Sequence, residues 1–441
     1  MNNLEFAQHF ADHAAAGVLF VMLWLAVTLL VLRRHIYAWF DPLLFYAVLS
    51  AMAGSVVLYL AWFELIRPFY FWSYLLTQAA FLAGFLLLKP ARRPRVVRPP
   101  RGGLYSGPVQ MLYPLSVVVF VATQLAVYTV TGLPLLLESR LEAFAGGGGY
   151  GLLSRLLFVT SNVTLLLAAY RLLVLRRGFW SRVVDGSVIM FCIAVAILSG
   201  SKGALLSLIF TVSLGLFFAS RFHGMEKAER RMRRFFVAIL VPSFPVAIGV
   251  ISIQAGIQDV GELVLALTMR FLQTGDIFFM VYPDGILAQL PQGNGLLALL
   301  YSPLGSLRIV ERESLPVNLG LLAFWFHYDT DLLTGPNARH NVFGLHYFGP
   351  LFSVAFSFLL GLLLSLARNA AFRRLPASPM GMVTYMLLVS CAIFIEQDVS
   401  GQAIEYFFSV LLVFPLLYVL ASLMWTREPR PRPGLQPVPA H

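Results

Sequence analysis

Apolar stretches of bilayer-spanning length recur eleven times along this chain, and no other feature constrains its fold as strongly. They fall at residues 14–32, 43–65, 69–88, 111–131, 152–175, 188–197 with its flanks, 204–220, 235–254, 345–366, 380–395 and 404–425. A bilayer core about 30 Å thick takes about 17–25 apolar residues of helix. Water is absent there, so only helices or closed barrels satisfy every backbone group. The expected fold is therefore an all-α polytopic membrane protein with about 11 transmembrane helices. Composition agrees: 59% of residues are hydrophobic and 12% charged, roughly half the charge of a soluble domain. Cys192 and Cys391 both sit in apolar runs, which fits small buried hydrophobes rather than a disulfide framework or a CxxC metal pattern. The first residues carry Glu5 and Asp12 but no Lys or Arg. A cleaved signal peptide needs a positive start, so the first apolar run reads as a retained helix.

A net charge of +11 could suggest a nucleic-acid partner, but the charge is distributed otherwise. Only three of the 32 basic residues are lysine (Lys89, Lys202, Lys227), and most arginines lie in short loops between apolar runs. Two such loops are KPARRPRVVRPPR at 89–101 and RFHGMEKAERRMRR at 221–234. This is the pattern of cytoplasmic loops in a membrane protein, and no nucleic acid is expected. With the N-terminus outside and eleven spans, the cytoplasmic side holds 24 of the basic and 5 of the 21 acidic residues. The external side then holds 8 basic and 16 acidic residues. An inverted orientation would put the positive excess on the wrong side.

Four regions follow. Residues 1–256 form an N-terminal transmembrane region of about eight helices, and 257–344 a large external loop or cap. Residues 345–426 form a C-terminal transmembrane region of about three helices, and 427–441 a Pro-rich, disordered cytoplasmic tail. A structureless loop as long as 257–344 is improbable. Its apolar runs at 263–272, 277–281, 296–301 and 315–326 are expected as short interfacial or re-entrant helices lying on the membrane. The loop ends in GPNARHNVFGLHYFG at 335–349. An arginine, two histidines and two asparagines there meet the start of a span. Such groups are costly at that boundary unless they bind something.

Several patterns could carry chemistry, each with a plainer alternative. Arg140 and Arg155 flank four glycines at 146–149. Guanidinium groups and exposed backbone N–H groups suit an anion such as phosphate; the alternative is an interface anchor beside a turn. SGSKG at 199–203 is not a P-loop, since the glycine and lysine spacing is wrong. It is either a helix-hairpin turn or a device presenting Lys202 to a phosphate. Asp329-Thr330-Asp331 forms a DxD without neighbours to complete a metal set. It fits a solvated loop or contacts to sugar hydroxyls. His340 stands between Arg339 and Asn341, where a neighbouring cation favours the neutral imidazole that a general base requires; a loop histidine can equally be a surface side chain. His346 reads as structural. Arg270 and Asp276 suit an intra-loop ion pair. Glu396 and Asp398 either contact sugar hydroxyls or cap and hydrate a turn.

Three of these pieces, in this order and on one face, resemble the O-antigen polymerase (Wzy-type) family, whose plan the O-antigen ligases share. TGLPLL followed by an arginine and glycines (132–149) is similar to the first external loop of such polymerases. LSGSKGALL (198–206) is similar to a helix turn that usually carries arginine where this chain has Lys202. ARHNVFGLHYFGPLFSVAFSFLLGLLL (338–364) resembles the ligase-type loop exit, where a His-Asn pair precedes a helix; the ligases tend to carry a second histidine where this chain has Arg339. The resemblance implies a multi-pass protein of the bacterial inner membrane with its active site facing the periplasm. It implies glycosyl transfer between undecaprenyl-pyrophosphate-linked oligosaccharides, with membrane lipids and a chain-length regulator protein as partners. Arg140, Arg155, Lys202, Arg270 and Arg339 would supply cations to the pyrophosphate, His340 would act as base, and Asn341, Asp329 and Asp331 would contact substrate. Pyrophosphate is a good leaving group, so neither a metal nor another cofactor is called for. The alternatives are an O-antigen ligase delivering glycan to the lipid A core, or a lipid-linked glycan flippase.

Overall fold

The computed structural model describes residues 3–92, 105, 107–136, 150–175, 178–201, 203–224, 230–234, 236–238, 241, 245, 248–249, 273–330, 332 and 334–425. Every regular element among them is helical. Eight of these helices are long and apolar enough to cross a membrane; the chain is an all-α polytopic membrane protein. The first part comprises α1 (Asn3–Asp12), α2 (Ala14–Leu32), α3 (Pro42–Trp62), α4 (Pro68–Leu86), α5 (Val109–Thr131), α6 (Tyr150–Leu173), α7 (Phe179–Leu198) and α8 (Ala204–Ala219). After the undescribed stretch come α9 (Asp276–Val281), α10 (Leu319–Tyr328), α11 (His340–Ser365), α12 (Pro379–Ala392) and α13 (Glu405–Met424). Of the eleven expected spans, α8 and α12 are shorter helices of 16 and 14 residues. The expected span at 235–254 and the tail at 427–441 fall mostly or wholly outside the described residues.

Local sequence sets the helix starts. Asp41 accepts the Leu43 N–H at the head of α3, and Ser378 accepts the Gly381 N–H at the head of α12. A proline follows directly in both cases, where its missing N–H costs nothing. The lipid-facing surface is carried by exposed leucines and methionines such as Leu19, Met22, Leu416 and Leu423. Between helices, small residues set the approach. A Cβ on Gly84 would collide with the Phe358 carbonyl, and one on Gly361 with the Phe81 carbonyl. Two backbones therefore touch along the α4–α11 seam, as packing in lipid favours, and Ser365 Oγ donates across it to the Phe85 carbonyl at 2.6 Å.

The segment expected as an external cap is partly built into the bundle. All five residues from Ile277 to Val281 are buried, and Gly275 packs against the backbone of Ala53 in the middle of α3. Phe6 of α1 stacks on Phe279 at 4.8 Å, and Tyr70 of α4 on Tyr282 at 4.8 Å. These residues fill the space between α1, α3 and α4. A single backbone position explains the second insertion. Gly349, at φ 73° and ψ 177°, breaks α11 just before Pro350. Residues 340–348 then fold back along the following arm: Phe343 stacks on Phe356 at 5.8 Å, and His340 Nδ1 lies 2.9 Å from Ser357 Oγ. In one straight helix those two residues would be about 25 Å apart. The expected span at 345–366 is thus a hairpin, with the long arm starting at Pro350.

The two ends of the bundle differ in charge. Arg368 pairs with Asp41 at 2.5 Å and Arg171 with Asp185 at 2.9 Å. At the same end, Arg221 and Arg373 donate to the carbonyls of Leu375 and Lys89. At the opposite end Arg155, near the start of α6, lies 3.6 Å from Glu405 at the start of α13.

Candidate functional site

The fold-back carries Arg339, His340 and Asn341 away from the turn and into the protein. Ser357, the partner of His340, lies seven residues beyond Pro350, about 10 Å along the helix from the turn. All three side chains are buried, at 3%, 0% and 1% exposure. The His340 ring stacks on Phe81 at 4.8 Å, and its backbone N–H donates to the Glu396 carbonyl at 3.2 Å. Asn341 Nδ2 donates to Thr77 Oγ1 at 2.9 Å and to Gln78 Oε1 at 3.4 Å, both on α4.

Glu396 is the centre of this cluster. It sits in the turn after α12, 2% exposed, because α12 ends after 14 residues and delivers its following residues inside the bundle. Its Oε1 accepts from Ser50 Oγ of α3 at 2.5 Å and from Gln78 Nε2 at 3.4 Å. Arg339 Nη1 stands 3.5 Å from the same oxygen, while Nε and Nη2 donate to the Thr274 carbonyl at 3.0 and 2.8 Å. Five segments thus converge on one ion pair. A buried pair of this kind is costly to break from one side, about 3–5 kcal/mol. Asp276 lies beside it, its carboxyl accepting the Ile277 N–H. Burial pushes that carboxyl up to about 7, against the opposing pull of Arg339.

Three polar atoms of the cluster have no hydrogen-bond partner among the described residues: His340 Nε2, Asn341 Oδ1 and Glu396 Oε2. Leaving such a group buried costs about 1–3 kcal/mol. Three of them on adjoining side chains mark a place where a polar ligand has something to bind.

A second polar cluster lies nearer the acidic end. Arg155, 7% exposed, donates to Ser302 at 3.4 Å and to Ser306 at 2.6 Å, faces Glu405, and covers the Phe408 ring at 5.4 Å. It ties α6 to the short helix Tyr301–Ser306 and to α13. Asp398 caps the π-helical turn Val399–Ile404 by accepting the Gly401 N–H at 2.8 Å. Insertions of this type concentrate at functional sites. An open groove of about 780 Å³ is lined by α2, the C-terminal end of α3 and the start of α4. Phe20, Leu23, Leu58 and Phe71 form its walls, and Arg67, Glu64 and Asp284 its polar edge.

The residues expected from sequence thus separate. Arg339, His340 and Asn341 share one site, but inside the bundle rather than at a water boundary, because Gly349 reverses the chain. Arg155 belongs to the second cluster and already has Gly151, Ser302, Ser306, Glu405 and Phe408 as partners, so it is a clamp between helices as much as a free cation. Asp329 is exposed at the left-handed C-cap of α10, with φ 49°, which matches a solvated turn; it is not part of the buried site. Arg140, Lys202, Arg270 and Asp331 lie outside the described residues. Glu396 is placed at the heart of the site, not in a hydrated turn at the outer face. Ser50, Thr77, Gln78 and Ser357 were not singled out from sequence at all. Their signal was present: Ser73, Thr77 and Gln78 put polar groups on one face of an otherwise apolar span. No family model matches this chain, and no curated protein or solved structure shows significant similarity to it.

Proposed function

We propose that this protein is a metal-independent glycosyltransferase that polymerises undecaprenyl-pyrophosphate-linked oligosaccharide repeat units. It would act at the outer, periplasmic side of a bacterial inner membrane. The observation that carries this reading is the Arg339–Glu396 pair with His340 and Asn341 beside it, buried yet holding three unsatisfied polar atoms. In the proposed step, an acceptor sugar hydroxyl attacks the anomeric carbon of the donor sugar. Its proton passes to His340 Nε2 or to Glu396 Oε2. The bond from the anomeric carbon to the pyrophosphate oxygen breaks, and its electron pair leaves with the lipid pyrophosphate. With a proton on Nδ1 donated to Ser357 Oγ, His340 Nε2 presents the lone pair that a base needs. Arg339, fixed by Thr274 and Glu396, supplies preorganised positive charge for the departing anion. The apolar walls of the groove beside Arg67 would suit a polyprenyl chain.

Burial of Glu396, Arg339 and Gln78 inside a bundle of apolar helices also favours a second reading, a flippase for the same lipid, because buried ionisable groups mark transport pathways too. The glycan phenotype separates the two, and separates both from a ligase. Loss of a polymerase leaves surface lipopolysaccharide, where the host makes it, capped by one repeat unit. His340→Ala and Glu396→Gln should reproduce that pattern with protein abundance kept. Long polymer held on undecaprenyl pyrophosphate with a bare core would identify a ligase instead. Lipid-linked units trapped on the cytoplasmic side would identify a flippase.

A further inference from the structure

At the basic end of the bundle, a groove of about 490 Å³ opens between the C-terminal ends of α2 and α4. Arg33, Arg34, Lys89 and Arg92 line it together with Leu30, Val31 and Leu86 to Leu88. All four cations are exposed. None of them has a carboxylate partner among the described residues, whereas Arg155, Arg171, Arg339 and Arg368 each do. One further lining group is unusual. His35 is 5% exposed, and its Nδ1 makes no hydrogen bond among the described residues. Its Nε2 lies 3.5 Å from the Leu88 carbonyl, the geometry of a weak N–H donor, and the ring packs on Phe85 at 5.1 Å. That arrangement leaves Nδ1 as an acceptor. Burial and the charges of Arg368 and Arg92 hold His35 neutral by lowering its pKa.

We propose that this groove is a binding site for diphosphatidylglycerol, the anionic phospholipid whose two phosphates are joined by a glycerol. The chemistry of the lining matches it group by group. Four unpaired cations at the level of the headgroups face two phosphates. The exposed leucines on the bilayer side take the first carbons of the acyl chains, and His35 Nδ1 accepts the bridging glycerol hydroxyl. Helix C-termini already favour cations, and basic loops favour one side of a membrane. Neither effect calls for a groove between two helices or for a buried imidazole inside it, whereas basic pockets between transmembrane helices at this level suit anionic lipid. The site is remote from Glu396, and the proposal does not depend on the glycosyl-transfer reading.

The test is native mass spectrometry and thermal unfolding of the full-length protein in detergent, titrated with diphosphatidylglycerol. The wild type should retain one lipid through delipidation and unfold several degrees higher with it. Arg33→Gln, Arg34→Gln, Lys89→Gln and Arg92→Gln combined should lower that affinity at least tenfold. Removing four charges elsewhere at the same end, by Arg230→Gln, Arg233→Gln, Arg234→Gln and Arg374→Gln, should leave it within about twofold. Leu87→Trp keeps every charge but fills the groove, so it should also weaken binding even if the quadruple variant inserts poorly. Equal losses in the two charge-removal sets, or equal binding of phosphatidylethanolamine, would show only bulk attraction and overturn the site. Displacement of the lipid by millimolar inorganic phosphate would also overturn it, by showing a site for free phosphate.

Discussion

At the scale of single residues, the most informative group is Asp276. Its carboxyl is taken out of water by the packing of α9 and is held near 7, above its ordinary 3.8. The folded protein therefore binds this proton over a range where the unfolded chain has lost it. By linkage, stability falls as pH rises from about 4 to about 7, and the loss is complete above the folded value. Asp398, raised to about 6 by burial, adds to the same slope. The midpoint of thermal unfolding in detergent should thus be higher at pH 5 than at pH 8. Asp276→Asn should flatten that dependence and unfold higher than the wild type at pH 8; an unchanged slope in the variant would show that Asp276 is not the group responsible. None of this was visible in the sequence. Asp276 read as an ordinary member of an intra-loop ion pair, because periodicity gives no warning that a polar-flanked run of six residues will be swallowed by the bundle. Glu396 illustrates the same limit: its residue type suggested function, but its depth depended on α12 ending early.

Elements were legible wherever one physical rule decides them. Length and hydropathy placed α2 to α7 and α13, since a bilayer offers the chain few alternatives. What stayed hidden was reversal within an apolar run. Residues 345–366 read as one continuous span, yet the positive φ at Gly349 turns residues 340–348 back upon the next arm. The hairpin depends on the α4–α11 seam, where Gly84 and Gly361 let the backbones touch. Gly361→Leu would force that seam apart and displace Ser357 from His340. The expected result is lower abundance, a drop of several degrees in unfolding midpoint, and lost polymer. Gly349→Ala acts differently. It leaves the seam alone but strains the turn, at about 1–3 kcal/mol for a side chain in that positive-φ region, so abundance should hold better than in Gly361→Leu. Western blotting and the glycan ladder from the same cells separate the two; identical defects in both variants would mean that the turn and the seam are not distinct devices.

Over the whole molecule, charge asymmetry ties sequence to orientation. The helices alternate in direction, so residues far apart in sequence meet at the same end: Arg368 with Asp41, Arg171 with Asp185, Arg373 with the backbone of Lys89. At the other end gather Arg155, Glu405 and the short helices from 283 to 306. If the basic end faces the cytoplasm, as the positive-inside rule requires, the groove beside Arg67 opens on the outer side, and so does the approach to Glu396. The native cysteines, Cys192 and Cys391, are both buried and should stay silent to a membrane-impermeant maleimide. A cysteine placed at Asn294, in the exposed stretch before Gly295–Leu299, should then be labelled in intact cells. One placed at Arg374, beyond the long arm of α11, should be labelled only after the membrane is opened. The reverse pattern would put the Arg339–Glu396 site within reach of cytoplasmic substrates. It would remove the lipid-linked glycan polymerase from consideration, because translocated donor and acceptor would then lie across the membrane from the chemistry.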